Sequence, residues 1–331
     1  MSNVHITMPV LAKLLPVLSA TLIASTVQAS DLQTERTAVE KWRAERVAEL
    51  TSETGWLTLV GLFWLNPGEN TFGRASSNTI VLSHPDLSDT AGTFVLKGEK
   101  VTFTAKPGAG ITHGGEPVTT LDMVSDAKKP PTVVSSGSLR FFIIERAGKF
   151  AVRVRDVASP RRRDFRGLQY FPISTDWVFQ ARFEPYEPHR TIKIVNILGL
   201  EDDMESPGAV VFNRNGQDIR LDTVLDGAGA TDLFIMFADG TSGHDTYGAG
   251  RFLHVPFATD GKTVVDFNEA YNPPCAFNNF ATCPLPPFQN RVKLKITAGE
   301  KNYAHRDQAR GTHQAGGRIR PAVPPAVAKT A

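Results

Sequence analysis

The chain has 331 residues, of which 41% are hydrophobic, and its formal charge is +2 at pH 7. This length is sufficient for two folded domains, and the small charge gives no general attraction to nucleic acid or to a membrane surface. We therefore expect no nucleic-acid partner. The composition includes 20 Phe but only 5 Tyr, which indicates aromatic side chains packed in a core.

Residues 1–29 have the pattern of a secretory signal peptide. Lys13 precedes an apolar run at 14–26, and Val27 and Ala29 supply the small residues before a cleavage site. The run is shorter than the roughly 20 apolar residues needed to span a bilayer. We expect an exported protein, periplasmic or secreted, with no transmembrane segment in the mature chain. An uncleaved N-terminal anchor is the alternative.

Residues 30–54 are predicted to contain an N-terminal helix. Its clearest part is 34–50, where Val39, Trp42 and Leu50 share one face and charged residues occupy the other positions. We expect this helix to pack on a sheet, with Trp42 as its anchor.

The rest of the chain predicts a mostly β protein. In residues 55–159 short strand-like segments alternate with Gly- and Pro-containing turns, which is typical of a β-sandwich. Near the end of this region, Val152 and Val154 are predicted to point inward and Arg153 and Arg155 outward.

Residues 160–303 predict a second antiparallel β domain. An Asn-Gly pair at 215–216 predicts a tight hairpin turn, because both residues tolerate a positive φ. The polar, Gly-rich and Pro/Ala-rich segment 304–331 is predicted to be a disordered tail. The predicted strands of this domain are 177–183, 191–197, 208–212, 217–221 and 233–237, with a further alternating signal at 291–301.

The opening of the first β region resembles that of a forkhead-associated (FHA) β-sandwich. The similarity lies in Gly68, the segment 70–74 and the segment 78–82. In that family a Gly-Arg turn and a Ser-x-x-His turn hold phosphothreonine, whereas Ala91 occupies the His position here. The resemblance implies an FHA-like sandwich for residues 55–159, and a fold does not carry a function with it.

Cys275 and Cys283 are the only cysteines. In a chain that reaches an oxidising compartment, a disulfide closing this short loop is the favoured interpretation. Two free thiols or a metal pair are the alternatives. The eight His are scattered, and we predict no metal and no cofactor.

A candidate ligand site lies in the C-terminal domain, where hydrogen-bonding side chains stand among strand residues and prolines. An Arg–Asp pair can be bidentate, so Arg251 with Asp239 or Asp266 either locks two segments together or presents a guanidinium to a ligand. Both interpretations stay open, as does chemistry by the carboxylates. The predicted site residues are Asp239, Tyr247, Arg251, Asp266, Asn268, Tyr271 and Asn290.

A second candidate centre is the turn that contains Ser242 and His244. It is not a nucleophile elbow, because the second Gly comes one position early and no strand-to-helix context follows. We interpret it as a surface turn.

Five sequence blocks resemble the bacterial DUF1684 family, a set of proteins of unknown function. The resemblance extends over residues 36–303 and implies a shared β-rich fold and a shared C-terminal site, with no activity to transfer. The blocks are 56–65, 165–172, 246–253, 266–275 and 283–291.

We therefore expect a non-catalytic β protein of the cell envelope that binds an unknown small molecule or envelope component. The alternative is a hydrolase that acts on a glycan or an ester with carboxylates of the C-terminal domain, such as Asp239 and Asp266.

Overall fold

The computed structural model describes residues 17–128, 130–227 and 229–303. The protein is mostly β, with one long helix at the N-terminal end and several antiparallel sheets, as predicted. The predicted signal peptide lies partly outside the described residues, and the predicted tail at 304–331 lies wholly outside them.

Helix α1 spans Val17–Thr51, so it begins earlier than the predicted helix and ends slightly sooner. Val39 and Leu50 are fully buried, as their shared face predicted. The helix ends where Ser52 turns its hydroxyl back to the carbonyl of Glu49, at 2.8 Å, in place of a further helical turn. In the part of the chain that the structure describes, no helix has the length and apolarity required to cross a membrane.

Residues 59–156 form a sandwich of two sheets with the strand orders β1-β11-β10-β9-β6-β7 and β3-β2-β4-β5-β8. Four Phe rings from both sheets, Phe72, Phe94, Phe103 and Phe141, meet in its core at centroid distances of 4.6–6.1 Å. The strands are β1 (Leu59–Trp64), β2 (Gly68–Gly73), β3 (Ile80–Val81), β4 (Gly92–Lys97), β5 (Lys100–Ala105), β6 (Thr112–His113), β7 (Glu116–Pro117), β8 (Thr120–Asp122), β9 (Val134–Ser136), β10 (Leu139–Arg146) and β11 (Lys149–Asp156).

The side chains of β11 alternate as predicted. Val152 and Val154 belong to the sandwich core, and Arg153 lies on the opposite face of the sheet. That face is not open to solvent, because Arg153 is only 2% exposed. The loop between Cys275 and Cys283 covers it, since the Arg153 guanidinium donates to Thr282 of that loop.

The C-terminal part of the described chain contains a four-stranded sheet of order β14-β13-β12-β17 and a two-stranded ribbon, β15-β16. Two predicted strands are parts of one long strand, β12, which is irregular between Pro185 and Arg190. The predicted hairpin turn joins β13 to β14, with φ of 54° at Asn215 and 80° at Gly216. The strands are β12 (Val178–Val195), β13 (Glu201–Arg214), β14 (Gln217–Thr223), β15 (Leu233–Phe237), β16 (Arg251–Val255) and β17 (Lys262–Asp266).

Short helical turns complete the described chain. They are α2 (Pro160–Arg163) and the 3-10 turns Trp56–Thr58, Thr175–Trp177, Phe267–Glu269, Pro274–Ala276 and Phe288–Asn290.

The strand predicted at 291–301 is absent, and this prediction was wrong. The alternation is real, since Ile296 and Ala298 are buried. Near its start the segment forms a single backbone bridge with Ala238. Farther along, its carbonyl and amide groups bond to the side chains of Arg251 and Asp239, so no strand ladder continues.

The β15-β16 ribbon has two different faces because its side chains alternate. Leu253 and Val255 of β16 enter the main core of the domain. Phe252 packs with Phe234 in a smaller cluster on the other face. His254 shares that second face, since it stacks on Phe234 at a centroid distance of 5.0 Å.

Candidate functional site

A cavity of about 1190 Å³ lies where α1, the outer face of the first sandwich sheet, the ribbon and the Cys-containing loop meet. We call it the central cavity. Its volume is slightly above the roughly 300–1,000 Å³ that is usual for clefts that hold small molecules. Side chains from each of these elements line it, among them Trp42, Arg153, Phe252, His254, Tyr271 and Thr282.

Arg153 is the least compensated buried cation of the described residues. Three arginines of the described chain are buried, and two of them have a carboxylate partner: Arg46 contacts Glu300 and Arg251 contacts Asp239. Arg153 forms no ion pair, and its Nε has no hydrogen-bond partner. Its Nη2 donates to Thr282 at 3.2 Å.

The groups around Arg153 do not neutralise it. Arg146 lies on the neighbouring strand and holds both oxygens of Asp126, at 3.0 and 2.8 Å, so this carboxylate is already paired. Arg146 also donates to the Thr282 hydroxyl oxygen at 3.3 Å. Because that oxygen accepts from two guanidinium groups, the Thr282 proton is directed away from both.

Burial lowers the pKa of Arg153 to about 9, and the charge of Arg146 acts in the same direction. The group still carries its charge at neutral pH. A buried and unpaired cation costs several kcal/mol. An anion placed in the central cavity beside Arg153 would remove this cost.

A second polar centre of the cavity is a hydrogen-bonded chain of three side chains. The Asp232 carboxylate contacts Nδ1 of His254 at 2.8 Å, and Nε2 of His254 contacts the Tyr271 hydroxyl at 2.8 Å. The rings of His254 and Tyr271 are almost parallel, at 5°. Phe234 supports the imidazole from one side, so the ring has little freedom to rotate.

Tyr271 also connects this chain to helix α1. The Arg46 guanidinium lies 4.5 Å from the centroid of the Tyr271 ring, and Trp42 is 6.4 Å from it. Arg46 is held by Glu300 at 3.2 Å and by the carbonyl of Asn272 at 3.0 Å. Burial raises the pKa of Tyr271, so its hydroxyl stays protonated at neutral pH.

Of the predicted site residues, Arg251 and Asp239 form a buried pair behind the cavity. The guanidinium of Arg251 donates to Asp239 at 3.1 Å, to the carbonyl of Ile296 at 2.9 Å and to the carbonyl of Ala298. The second carboxylate oxygen of Asp239 accepts from Thr241 and Ser242. The pair is 1% and 0% exposed at its side chains, and its geometry is that of a structural lock.

Three further predicted residues also bond to the protein itself. Asn290 holds the backbone of Asp222 and Met236. Asn268 holds the backbone of Ser174 and contacts the Asp266 carboxylate at 2.8 Å. None of these three lines the central cavity.

Tyr247 packs in a cluster with Leu50, Leu57 and Phe277, away from the cavity. Tyr271 is therefore the single predicted site residue that lines it. Ser242 bonds to Asp239, and in the described structure no hydrogen bond joins it to His244. No group of His, Cys, Asp or Glu among the described residues is arranged to hold a metal ion.

Arg153, His254 and Thr282 were not predicted as site residues. The strand alternation contained a signal for two of them. On β16, Arg251 and His254 must point to opposite faces of the strand. Because Arg251 was predicted as a site residue, the face that carries His254 and lines the cavity was not considered. For Thr282 the sequence gives no comparable signal, because its position depends on the loop that Cys275 and Cys283 close.

Cys275 and Cys283 are joined in a disulfide with a Cα–Cα distance of 6.2 Å. Both are in contact with the apolar cluster of the cavity floor, which contains Phe234 and Phe252. The pair therefore fixes the loop that carries Thr282 against the ribbon.

A family-model comparison matches the C-terminal part of the chain. Residues 163–301 match the model of DUF1684, described as a protein of unknown function. No curated protein matches the chain.

The chain is also similar to solved structures, including these three. An uncharacterized protein of Haloarcula marismortui, solved by NMR, is 29% identical, with 43% of this chain and 79% of that chain covered and a TM-score of 0.37. The FhaA FHA domain, in complex with an intracellular domain, is 17% identical over 28% of this chain and 97% of that chain, with a TM-score of 0.20. An FHA domain from a study of phosphothreonine-dependent interactions is 18% identical over 30% and 96%, with a TM-score of 0.20.

The ribbon, the Arg251–Asp239 pair and the disulfide loop all lie inside the matched segment. The resemblance to DUF1684 that the sequence blocks indicated is thus confirmed over residues 163–301.

Proposed function

We propose that this protein is an exported binding protein of the cell envelope and that its ligand is a small organic anion held in the central cavity. The observation that carries this proposal is Arg153, a buried guanidinium in the cavity wall with no carboxylate partner. Buried charges in proteins are paired, so an unpaired one in a cavity supports an anionic ligand.

The geometry around Arg153 supports a carboxylate or a phosphate. A guanidinium presents several donors in one plane and binds such groups through two parallel hydrogen bonds. The hydroxyl of Thr282 adds a donor beside it, since its oxygen already accepts from Arg146 and Arg153. Two N–H groups of Arg153 and the Thr282 hydroxyl can thus donate to one carboxylate or phosphate group.

The floor of the cavity supports an apolar or aromatic ligand body. Phe234, Phe252 and Ile194 are buried there, and Trp56 and Tyr271 pack against them. Binding pockets commonly combine such a surface with a few polar groups that orient the ligand.

Carboxylates also line the cavity, and their partners decide whether they repel an anion. Asp126 is held by Arg146 and Glu49 by Arg46. Asp202 accepts the amide of Ala147 at 2.9 Å. Glu45 and Asp226 line the cavity as well. Of the charged groups that shift the pKa of Arg153, Arg146 and Arg155 are cations and Asp126 is a carboxylate already held by Arg146, so an anion beside this guanidinium meets more positive than negative charge.

Export rests on the sequence. The apolar run at 14–26 and the small residues before Ser30 support a cleaved signal peptide. The disulfide between Cys275 and Cys283 is in keeping with an oxidising compartment.

Thermal unfolding of the protein from Ser30 onward tests the ligand proposal. We would add 4-phenylbutyrate, phenyl phosphate, a series of aliphatic dicarboxylates and the uncharged 4-phenylbutanamide. We expect at least one anion to raise the melting temperature while the amide does not, since a ligand stabilises the native state that binds it. The change Arg153→Met should weaken this binding more than about tenfold.

Arg155 provides a matched control for Arg153. It lies on the same strand and the same face, and its Nε also lacks a partner, but it packs on Phe142 and does not line the cavity. Arg155→Met should leave anion binding unchanged. Equal stabilisation by the acid and its amide, or equal weakening by the two substitutions, contradicts the proposal.

A further inference from the structure

The chain Asp232–His254–Tyr271 has a geometry that ligand binding alone does not require. Asp232 holds Nδ1 of His254, which leaves Nε2 as the acceptor of the Tyr271 hydroxyl proton. His254 is fixed by stacking on Phe234. An imidazole oriented by a carboxylate and connected to a hydroxyl group is the arrangement of a general base.

This chain ends in the same cavity as Arg153. His254 and Tyr271 both line it, and Trp56 connects the two centres. Trp56 lies 5.8 Å from the Arg153 guanidinium and packs in the same cluster as Tyr271. A ligand anchored by its anionic group at Arg153 would therefore extend along the aromatic floor toward the Tyr271 hydroxyl.

We propose that the central cavity hydrolyses carboxylic esters that carry a second, anionic group, with Tyr271 and His254 as catalytic residues and Asp232 as a positioning residue. The inference rests on the proposed function for the anchoring of the substrate at Arg153. It departs from the carboxylate hydrolase that the sequence suggested, because the base is an imidazole and neither Asp239 nor Asp266 takes part.

The reaction balances without a cofactor. The Tyr271 oxygen takes a proton from water while its own proton passes to Nε2 of His254, and Asp232 stabilises the resulting imidazolium. The hydroxide adds to the ester carbonyl carbon. When the tetrahedral intermediate collapses, the bond to the alkoxy oxygen breaks and the leaving group takes the proton back through Tyr271. Ester and water give acid and alcohol.

The test uses the protein from Ser30 onward with mono-4-nitrophenyl esters of succinate, glutarate and adipate. The three acids place the anionic group at different distances from the ester, and 4-nitrophenyl acetate lacks it. We expect release of several equivalents of 4-nitrophenol per protein from at least one of the anionic esters, at a higher kcat/KM than for the acetate.

We call the chain Asp232–His254–Tyr271 the relay, and two substitutions in it distinguish its role from that of the anion site at Arg153. His254→Gln and Tyr271→Phe should each lower kcat about 10²-fold or more, the effect expected for a general base. Neither should change the thermal shift produced by the corresponding free dicarboxylate. Arg153→Met should mainly raise KM and weaken that thermal shift.

The matched control is His189, which contacts Glu205 at 2.5 Å on the exposed surface and does not line the cavity. His189→Gln should hydrolyse the esters at the wild-type rate. A rate that falls equally in the His189 and His254 variants, or a single equivalent of product, overturns the proposal because it indicates unspecific surface reaction.

The outcomes distinguish the two proposals. If free dicarboxylates stabilise the protein through Arg153 but none of the esters is hydrolysed faster than by His254→Gln, the relay is refuted and the binding function stands. If hydrolysis depends on His254 but not on Arg153, the relay stands and the proposed anion site is refuted.

Discussion

Arg153 and Arg251 are both buried on strands of the same protein, and their surroundings are opposite. Arg251 lies on the core face of β16 and meets a carboxylate and two backbone carbonyls. Arg153 lies on the outer face of β11, near the Trp56 ring, and its guanidinium donates one hydrogen bond, to the Thr282 hydroxyl oxygen. Arg251 has a structural role, whereas Arg153 is the group to which we assign the ligand in our proposal.

The difference shows that burial alone does not identify a functional arginine. Burial lowers the pKa of both, but Asp239 counteracts this effect at Arg251, whereas Arg146 strengthens it at Arg153. Replacing these two arginines should therefore change stability in opposite directions.

The largest effect is expected from Arg251→Met. It would leave the Asp239 carboxylate buried without its cation and two carbonyl groups, those of Ile296 and Ala298, without a donor. We expect a loss of about 3–5 kcal/mol in the free energy of unfolding, the usual consequence of breaking a buried ion pair. Urea unfolding followed by fluorescence measures it.

The double variant Arg251→Met with Asp239→Asn is the control. Because it also removes the uncompensated anion, it should be more stable than Arg251→Met alone. A loss below about 1 kcal/mol in the single variant would show that the pair does not lock the segment.

The opposite result is expected for Arg153→Met without ligand. The substitution removes an unpaired buried cation and one hydrogen bond to Thr282. We expect the free energy of unfolding to rise by about 1 kcal/mol, since buried ionic groups are often replaced by apolar ones with a gain in stability. Urea unfolding of the ligand-free protein is the measurement, and a clear loss of stability would mean that Arg153 has a structural partner.

The sequence predicted the parts of this comparison that depend on local periodicity. The alternation of β11 placed Val152 and Val154 in the core and Arg153 opposite, and this is correct. The same rule on β16 separates Arg251 from His254. The second face of each strand is covered by segments that are distant in sequence. The alternation within a strand does not predict which segments these are.

The predicted site shows the same limit. Its residues were chosen because they are polar and stand in specific sequence blocks, and most of them bond to backbone groups of their own domain. Asn290 and Asn268 are examples, since each satisfies backbone groups from distant segments. A buried amide that stabilises a turn and an amide that binds a ligand have the same appearance in a sequence.

A third polar region, partly buried where α1 meets the turn Phe267–Glu269, contains carboxyl groups. Burial is the main cause that raises the pKa of Glu35 to about 8, and Asp266 adds to it. Burial likewise raises the pKa of Glu269 to about 7. Asn268 donates to Glu35 at 3.3 Å. Arg43 lies on this side too: burial lowers its pKa, and neighbouring acidic groups, Asp266 among them, act in the opposite direction.

The smallest effect is expected here, as a dependence of stability on pH. Between pH 4.5 and about 8 the folded protein holds a proton on Glu35 that the unfolded chain has lost, so stability must fall as the pH rises through this window. Glu35 is only partly buried, and water screens the interaction, so we expect a fall of roughly 1 kcal/mol. Glu35→Gln should flatten the pH dependence of the melting temperature between pH 5 and 8, whereas the exposed substitution Glu40→Gln should not. If the wild-type melting temperature instead rises through this window, the carboxyl groups at the α1 contact are ionised in the folded state, and Arg43 compensates them as Asp239 compensates Arg251.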